Sequence, residues 1–384
     1  MKRFLILLSL LLMTGCQASD DSSPQPSGTL SETQSLEQTQ TAIPPTEAPQ
    51  PPDPLERMIA SMSLEERVGQ LFLARCSAST AVEDIQKYHL GGFVLFGVDF
   101  QNETPASVSE TIASYQNAAR IPLLIAVDEE GGTVTRVSRY PAFRTSPFPS
   151  PRSVFESQGY EAVLSTELEK CLLLATLGIN VNLGPVCDIV TAPEAFMYQR
   201  SLGQNPTTTA RFVMDTVRIM EENRIGSTLK HFPGYGNNED THTGIARDSR
   251  SLQELTQMDL IPFQAGIQAG CDAILISHTI VDALDEEYPA SLSPAAHQYL
   301  REEMGFNGVI LTDDLVMQAI TDCYGAAEAA VMAVLAGNDL LCSSEYALQY
   351  EAVLAAVLDG RIHLRVLNDA VRRVLQWKTE LGLI

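Results

Sequence analysis

Gly308-Val309-Ile310-Leu311-Thr312-Asp313-Asp314-Leu315 is the stretch that decides the fold. Val309–Thr312 is apolar or β-branched on consecutive positions, and two carboxylates close the run. A strand that is apolar on both faces belongs to a sheet covered on both sides, as parallel sheets are. Side chains alternate along a strand. One of Asp313 and Asp314 therefore points into a cavity at the strand end. The other points away and is held by hydrogen bonds.

The same grammar recurs along the chain. Candidate strands lie at 70–73, 92–96, 123–127, 180–183, 227–230, 273–277, 309–312 and 339–342. Amphipathic helical stretches, such as 207–223 and 262–269, separate most of them. Strand–helix alternation implies an α/β fold with a parallel sheet, and eight such units imply a closed (β/α)8 barrel of the TIM type in a single domain. The competing architecture, an open doubly wound sheet, would carry a Gly-rich turn after its first strand. Here that strand runs into Ala74-Arg75-Cys76 instead. Ahead of it, Ser63 with Glu66 three residues on predicts a capping box and a helix start.

The polar outliers gather at one end of these strands. Asp128 follows the third, and Asp188 follows the fourth, with Arg200 in the long loop downstream. Lys230 and His231 end the fifth, and Asp240 and His242 lie in the Gly-rich loop after it. Ser277 and His278 end the sixth, and Asp313 and Asp314 the seventh. C-terminal strand ends and the loops after them form the active-site face of a (β/α)8 barrel. Lys230 ends an apolar strand, where an unpaired ammonium is costly to bury, so it must face a polar cavity or an acid. Asp188 reads equally as a turn cap, and His278 equally as a satisfied core histidine.

The ends of the 384-residue chain carry a different signal. Lys2 and Arg3 precede a short apolar run, Phe4 to Met13, far shorter than the roughly 20 residues that span a bilayer. Thr14-Gly15-Cys16 follows. This reads as a secretory signal and resembles a bacterial lipoprotein signal, with residues 1–16 ending at a lipidated Cys16. Met13 stands where Leu is usual. Residues 17–54 are rich in Ser, Thr, Pro and Gln, cannot bury enough apolar surface to fold, and read as a disordered tether. Residues 55–384 form the globular domain. The expectation is an extracytoplasmic, membrane-anchored lipoprotein on the cell surface or periplasmic side, touching the membrane through its lipid alone. A formal charge of −23 argues against binding a phosphate backbone, which needs basic patches, so no nucleic-acid partner is expected. Six cysteines remain after Cys16, with no metal-ligand spacing, and read as buried free thiols.

A mouth offering Asp128, Arg200, Lys230, His231 and Asp313 carries both signs of charge and suits a polyhydroxylated sugar. Glycoside hydrolysis needs a carboxylate on one side of the anomeric carbon and a proton donor on the other. Asp313 on a rigid strand end suits the nucleophile. His242 suits the donor, with Asp240 orienting it. A metal site of His231, Asp240, His242 and His278 lacks a helix-face ligand pair. No metal and no cofactor are expected.

These residues resemble glycoside hydrolase family 3, and specifically its bacterial β-N-acetylhexosaminidases. The resemblance runs from Met62-Ser63-Leu64-Glu65-Glu66-Arg67 through Asp128-Glu129-Glu130-Gly131-Gly132 and Gln199-Arg200-Ser201-Leu202-Gly203. It continues through the Lys230–His242 loop to Gly308–Leu315. It implies that Asp313 is the nucleophile, that Asp240 and His242 form the acid–base dyad, and that Asp128, Arg200, Lys230 and His231 hold the sugar. It also implies a retaining exo-β-N-acetylglucosaminidase, and the substrates expected are GlcNAc-containing saccharides such as peptidoglycan fragments; the chain itself is expected to be a monomer. Many members carry a second domain with a Glu acid/base. The chain ends soon after the eighth strand and its helix, so the expectation here is an acid/base from the barrel. Tyr235, Thr133 and Val316 depart from the pattern, where His, Arg and Ser are usual. A β-glucosidase or phosphorylase of the same family, and a non-catalytic sugar-binding lipoprotein, stay open as alternatives.

Overall fold

The computed structural model describes residues 53–238 and 246–384. The signal, Cys16, nearly all of the tether, and the Asp240–His242 dyad lie outside the described residues.

Eight parallel strands form one sheet. In chain order they are Phe72–Arg75, Gly92–Leu95, Leu124–Val127, Val181–Asn182, Gly226–Phe232, Ala273–Ile276, Val309–Thr312 and Leu341–Ser343. The eighth pairs with the first, and each of the others with its predecessor. A parallel bridge between Leu311 and Leu340 joins the seventh to the eighth and closes the barrel. Helices such as Pro206–Glu222 and Leu260–Gln268 cover the outside. A short parallel ribbon pairs Arg247–Asp248 with Ile280–Val281.

Two strands sit further along the chain than the sequence predicts. Gln70 still belongs to the preceding helix end: its N–H donates to the Glu66 carbonyl. The expected capping box is present there, with Ser63 N–H donating to Glu66 Oε2 (2.8 Å) and Glu66 N–H to Ser63 Oγ (3.2 Å). At the eighth strand, Asp339 still bonds the seventh, its N–H donating to the Ile310 carbonyl at 2.9 Å, and its carboxylate pairs with Arg301 and Arg373; the ladder to the first strand starts at Leu341.

Burial sorts each strand by parity. Leu73, Val94, Leu124, Ala126, Val181, Leu183, Val309, Leu311 and Leu340 share one interior cluster. Phe72, Ala74, Phe93, Leu95, Ile125 and Val127 pack outward under the helices. Interior side chains recur every second residue, so the next inward positions are Arg75, Phe96, Asp128, Asp313 and Cys342. The barrel core thus hands over to a polar mouth within one step of each strand.

The other end of the barrel is plugged. Val374, Trp377 and Leu381, on and just after the helix Leu364–Glu380, complete the interior cluster. Gly226 opens the fifth strand against that indole: a Cβ there would lie 2.8 Å from the Trp377 ring. The same helix ties the start of the domain, because Arg372 pairs with Asp53, the N-cap of Pro54–Ser61. The six cysteines are free thiols, four of them buried. Cys323 is exposed, and Cys342 half-buried.

Candidate active site

At the C-terminal strand ends lies a cavity of about 790 Å³. That is in the upper part of the roughly 300–1,000 Å³ range of small-molecule sites. Its walls include Asp128, Arg200, Lys230, His231 and Asp313, so four stretches distant in sequence converge on one space.

Lys230 is 2 % exposed. Its Nζ donates to Asp128 Oδ1 at 2.5 Å and lies 2.6 Å from Glu130 Oε1. Burial alone would lower its pKa, but Asp128 and then Glu130 hold it above the ordinary lysine value. Arg200 grips Glu130 with both arms, Nε to Oε2 at 2.9 Å and Nη2 to Oε1 at 2.7 Å. Glu130 is buried, which favours its protonation. Lys230 and Arg200 outweigh that and keep it well below the usual carboxylate range.

His231 is the second layer of the same arrangement. By strand alternation it should face away from the mouth, yet it lines the cavity. The fifth strand is irregular there: its register shifts between Leu229 and Phe232, and the Lys230–His231 peptide is cis. His231 Nδ1 lies 2.9 Å from Asp188 Oδ2, and Arg200 Nη2 lies 3.1 Å from its Nε2. Arginine can only donate, so Nε2 accepts and Nδ1 carries the proton that Asp188 receives. Asp188 also accepts the N–H groups of His231 (3.1 Å) and Tyr235 (2.7 Å). It is buried, and His231 foremost holds its pKa below the ordinary value in spite of that. Asp188 therefore orients the His231 ring and holds the chain from His231 to Tyr235.

The Asp313–Asp314 pair divides as the alternation predicts. Asp313 continues the inward parity of Val309 and Leu311 and stands half-buried on the cavity wall. Its carboxylate accepts the Asp314 N–H at 2.8 Å. Asp314 accepts from the N–H groups of Val316 (3.2 Å) and Ser344 (3.1 Å) and from the Ser344 hydroxyl, tying the seventh strand's end to the eighth's. His278 is fully buried against Ser291 Oγ (2.7 Å) and the Asp314 carbonyl (3.0 Å), which is the core-histidine reading.

The run Asp128-Glu129-Glu130 does three jobs. Asp128 faces the cavity. Glu129 folds its own loop by accepting the N–H groups of Arg136 (2.9 Å) and Val137 (2.8 Å) and the Ser138 hydroxyl. Glu130 anchors both cations, a role that sequence reasoning missed. Its signal was available: two buried cations facing one aspartate leave a charge to be matched. Gly131 turns the loop at φ 99°, and a Cβ there would lie 2.3 Å from the Pro149 carbonyl oxygen. Arg136, also on the cavity wall, went unnoticed too.

The segment carrying Asp240 and His242 is bracketed by described chain. Gly234 lies before it and Arg250 after it, and Arg250 donates to the Gly234 carbonyl at 3.2 Å while pairing with Asp248 and Asp259 (both 2.6 Å). Burial first, with the neighbouring acids adding, pushes Asp259 up to about 7 against the pull of Arg250. Chemically, the wall offers a carboxylate on a rigid strand end across from fixed cations and acceptors. That suits binding of several hydroxyls and stabilisation of developing charge.

Comparison with known proteins finds relatives along most of the chain. The family model described as "Glycosyl hydrolase family 3 N terminal domain" matches residues 63–377. Beta-hexosaminidase A of Pseudoalteromonas piscicida is 31 % identical over 330 residues, covering 78 % of this chain and 55 % of that protein. Beta-hexosaminidase of Stenotrophomonas maltophilia is 35 % identical over 292 residues, covering 72 % of this chain and 85 % of that one. Among solved structures, the glycoside hydrolase family 3 beta-N-acetylglucosaminidase of Paenibacillus sp. str. FPU-7 superposes with a TM-score of 0.78 at 32 % identity. That match covers 84 % of this chain and 63 % of the Paenibacillus one. The chain thus spans little more than half the length of the first of these relatives, and under two thirds of the solved structure.

Proposed function

The chain belongs to glycosyl hydrolase family 3, and on that premise we propose that it is a retaining exo-β-N-acetylglucosaminidase. The observation that carries the reading is Asp313 at a strand end, on the wall of the same cavity as the Asp128–Lys230–Glu130–Arg200 network. Relatives named as beta-hexosaminidases support the choice of sugar.

In this reading Asp128, Arg200, Lys230 and His231 hold the hydroxyls of a terminal β-linked GlcNAc. Asp313 attacks the anomeric carbon and the glycosidic bond breaks. His242, steered by Asp240, gives its proton to the leaving oxygen and later removes one from the incoming water. The leaving groups proposed are those of peptidoglycan fragments. Turnover of a chromogenic aryl β-GlcNAc is the test. Asp313→Ala is expected to abolish it. His242→Ala is expected to slow unactivated disaccharides by roughly 10²–10⁴-fold and activated aryl glycosides far less. Equal losses on both would remove His242 from the acid role, and a null result on every aryl glycoside would revive the sugar-binding alternative.

Anchoring through Cys16 in an extracytoplasmic setting is part of the same proposal. The basic start, short apolar run and Thr14-Gly15-Cys16 support it. Metabolic labelling with a radioactive fatty acid is expected to mark the wild-type chain and not Cys16→Ser. Equal labelling of both sinks the anchor.

A further inference from the structure

Two legs flank the segment that carries Asp240 and His242, residues 234–238 before it and 246–250 after it. Each leg is tied to a different neighbour. The near leg is held by the loop after the fourth strand. Tyr235 N–H donates to the buried Asp188 carboxylate at 2.7 Å. Asn237 Oδ1 accepts the N–H groups of Thr191 and Ala192, both at 3.1 Å, and its Nδ2 donates to Thr191 Oγ1 at 3.2 Å. The far leg is held on the opposite side, beyond the sixth strand. Ile280 N–H donates to the Ala246 carbonyl at 3.0 Å, and Asp282 N–H to the Asp248 carbonyl at 2.9 Å.

One side chain joins the legs to each other. Arg250 Nη2 donates to the Gly234 carbonyl on the near leg at 3.2 Å. Its Nε and Nη2 grip Asp248 on the far leg at 3.0 and 2.6 Å. Its Nη1 donates at 2.6 Å to Asp259, which sits just ahead of the helix Leu260–Gln268. Both acids are buried. The near leg lies directly on the guanidinium, because a Cβ at Gly236 would stand 2.8 Å from its central carbon. All three nitrogens are engaged, with three separate parts of the chain. A rigid planar fork can do this, whereas a compact ammonium on a shorter donor span cannot.

Residues 238–245 are all that separate Asn237 from Ala246, so at no more than ~3.6 Å per residue the two anchors bound the reach of a side chain carried between them. Proton donation depends on that reach: a misplacement of about 1 Å from a change far from the chemistry can slow a reaction by roughly 10²-fold. We propose that Arg250, assisted by Asn237, is a positioning residue for the acid–base step, pinning both legs of the segment so that its proton donor is placed at the cavity. The inference rests on the reading of His242 as that donor and deepens it.

The experiment measures kcat/KM on two substrates with the full chain. A dinitrophenyl β-GlcNAc has a leaving group that departs without a proton. The disaccharide GlcNAc-β-1,4-GlcNAc has one that needs it. The readout is the ratio, aryl over disaccharide, relative to wild type, and His242→Ala sets its scale. Arg250→Lys, which keeps the charge and loses the fork, is expected to raise the ratio by roughly 10–100-fold. Asn237→Ala, at an exposed position that folding does not depend on, is expected to raise it by about 5-fold, the effect of losing an ordinary hydrogen bond. In a His242→Ala background neither change should move the ratio further, because a residue that acts through the donor then has nothing to place. A purely structural arginine lowers both substrates alike, through the amount of folded protein. A ratio at its wild-type value in Arg250→Lys, or a rise that persists undiminished without His242, overturns the positioning role and leaves His242 in its own. If Arg250→Lys does not fold, Asn237→Ala decides alone, by the same two outcomes. If His242→Ala itself leaves the ratio unchanged, the acid–base reading is what has failed, and the positioning role falls with it.

Discussion

Two buried lysines sit at opposite ends of the barrel and have opposite environments. Lys230, at the mouth, is 2 % exposed and meets two carboxylates within 2.6 Å. Lys378, in the plug, is 0 % exposed, and its Nζ donates to the neutral Gln70 Oε1 at 2.7 Å, with no ion pair among the described residues. The carboxylates hold the first above the ordinary lysine pKa, whereas burial pushes the second down to about 7. The difference separates two reasons for burying a cation. Lys230 is held charged where a ligand can meet it. Lys378 fills a gap at the foot of the barrel, and its charge is a cost.

The larger effect is expected at the mouth. Lys230→Met leaves Asp128 and Glu130 facing each other, with Arg200 on Glu130 and the more distant Arg136 near Asp128 to offset them. Breaking a buried pair by removing one partner costs about 3–5 kcal/mol. The midpoint of denaturant unfolding should drop accordingly, and kcat/KM on aryl β-GlcNAc should fall by roughly 10³-fold, about 4 kcal/mol. If stability falls and kcat/KM does not, Lys230 is a structural cation like its counterpart in the plug, and the contrast between the two lysines collapses.

The same pair shows how far the sequence could be read. The fold was legible because apolar runs and their polar ends recur in phase. Val309–Thr312 is the strand predicted, and the alternation that sends Asp313 inward while Asp314 binds Ser344 follows from the pleat alone. Lys230 was legible for the same reason: an ammonium closing an apolar strand demands an acid, and the structure supplies two. What was not legible is which acids. Asp128, Glu129 and Glu130 are adjacent carboxylates, and only the three-dimensional path of the loop assigns them to the cavity, the turn and the cations. His231 defeated the alternation rule because the strand is irregular where it sits. Lys378 left a faint trace. Val371, Val374, Lys378 and Leu381 fall at helical spacing on the buried stripe of Leu364–Glu380, but a lysine near a helix end reads first as a solvated, dipole-complementing residue.

The smaller and more discriminating effect is therefore expected at Lys378. Its folded-state pKa of about 7 lies below its ordinary 10.5, so between those values the unfolded chain binds more protons than the folded one. Stability from this group is fully present above pH ~10.5 and is lost as the pH falls toward ~7, at a slope of at most about 1.4 kcal/mol per pH unit. Lys378→Met keeps the length of the side chain and removes the charge, at the expense of the hydrogen bond to Gln70, worth about 1 kcal/mol. Near pH 7 the variant should be more stable than wild type by an amount on the order of 1–3 kcal/mol, less than the Lys230→Met loss. The advantage should shrink steadily as the pH rises from about 7 toward 10.5, because giving up the lysine's proton on folding costs less as the pH nears its unfolded value. Unfolding free energies of the two proteins across that range are the measurement. Parallel curves would mean that Lys378 keeps its proton when buried, through water or a partner at the foot of the barrel. The two lysines would then differ in neighbours but not in charge.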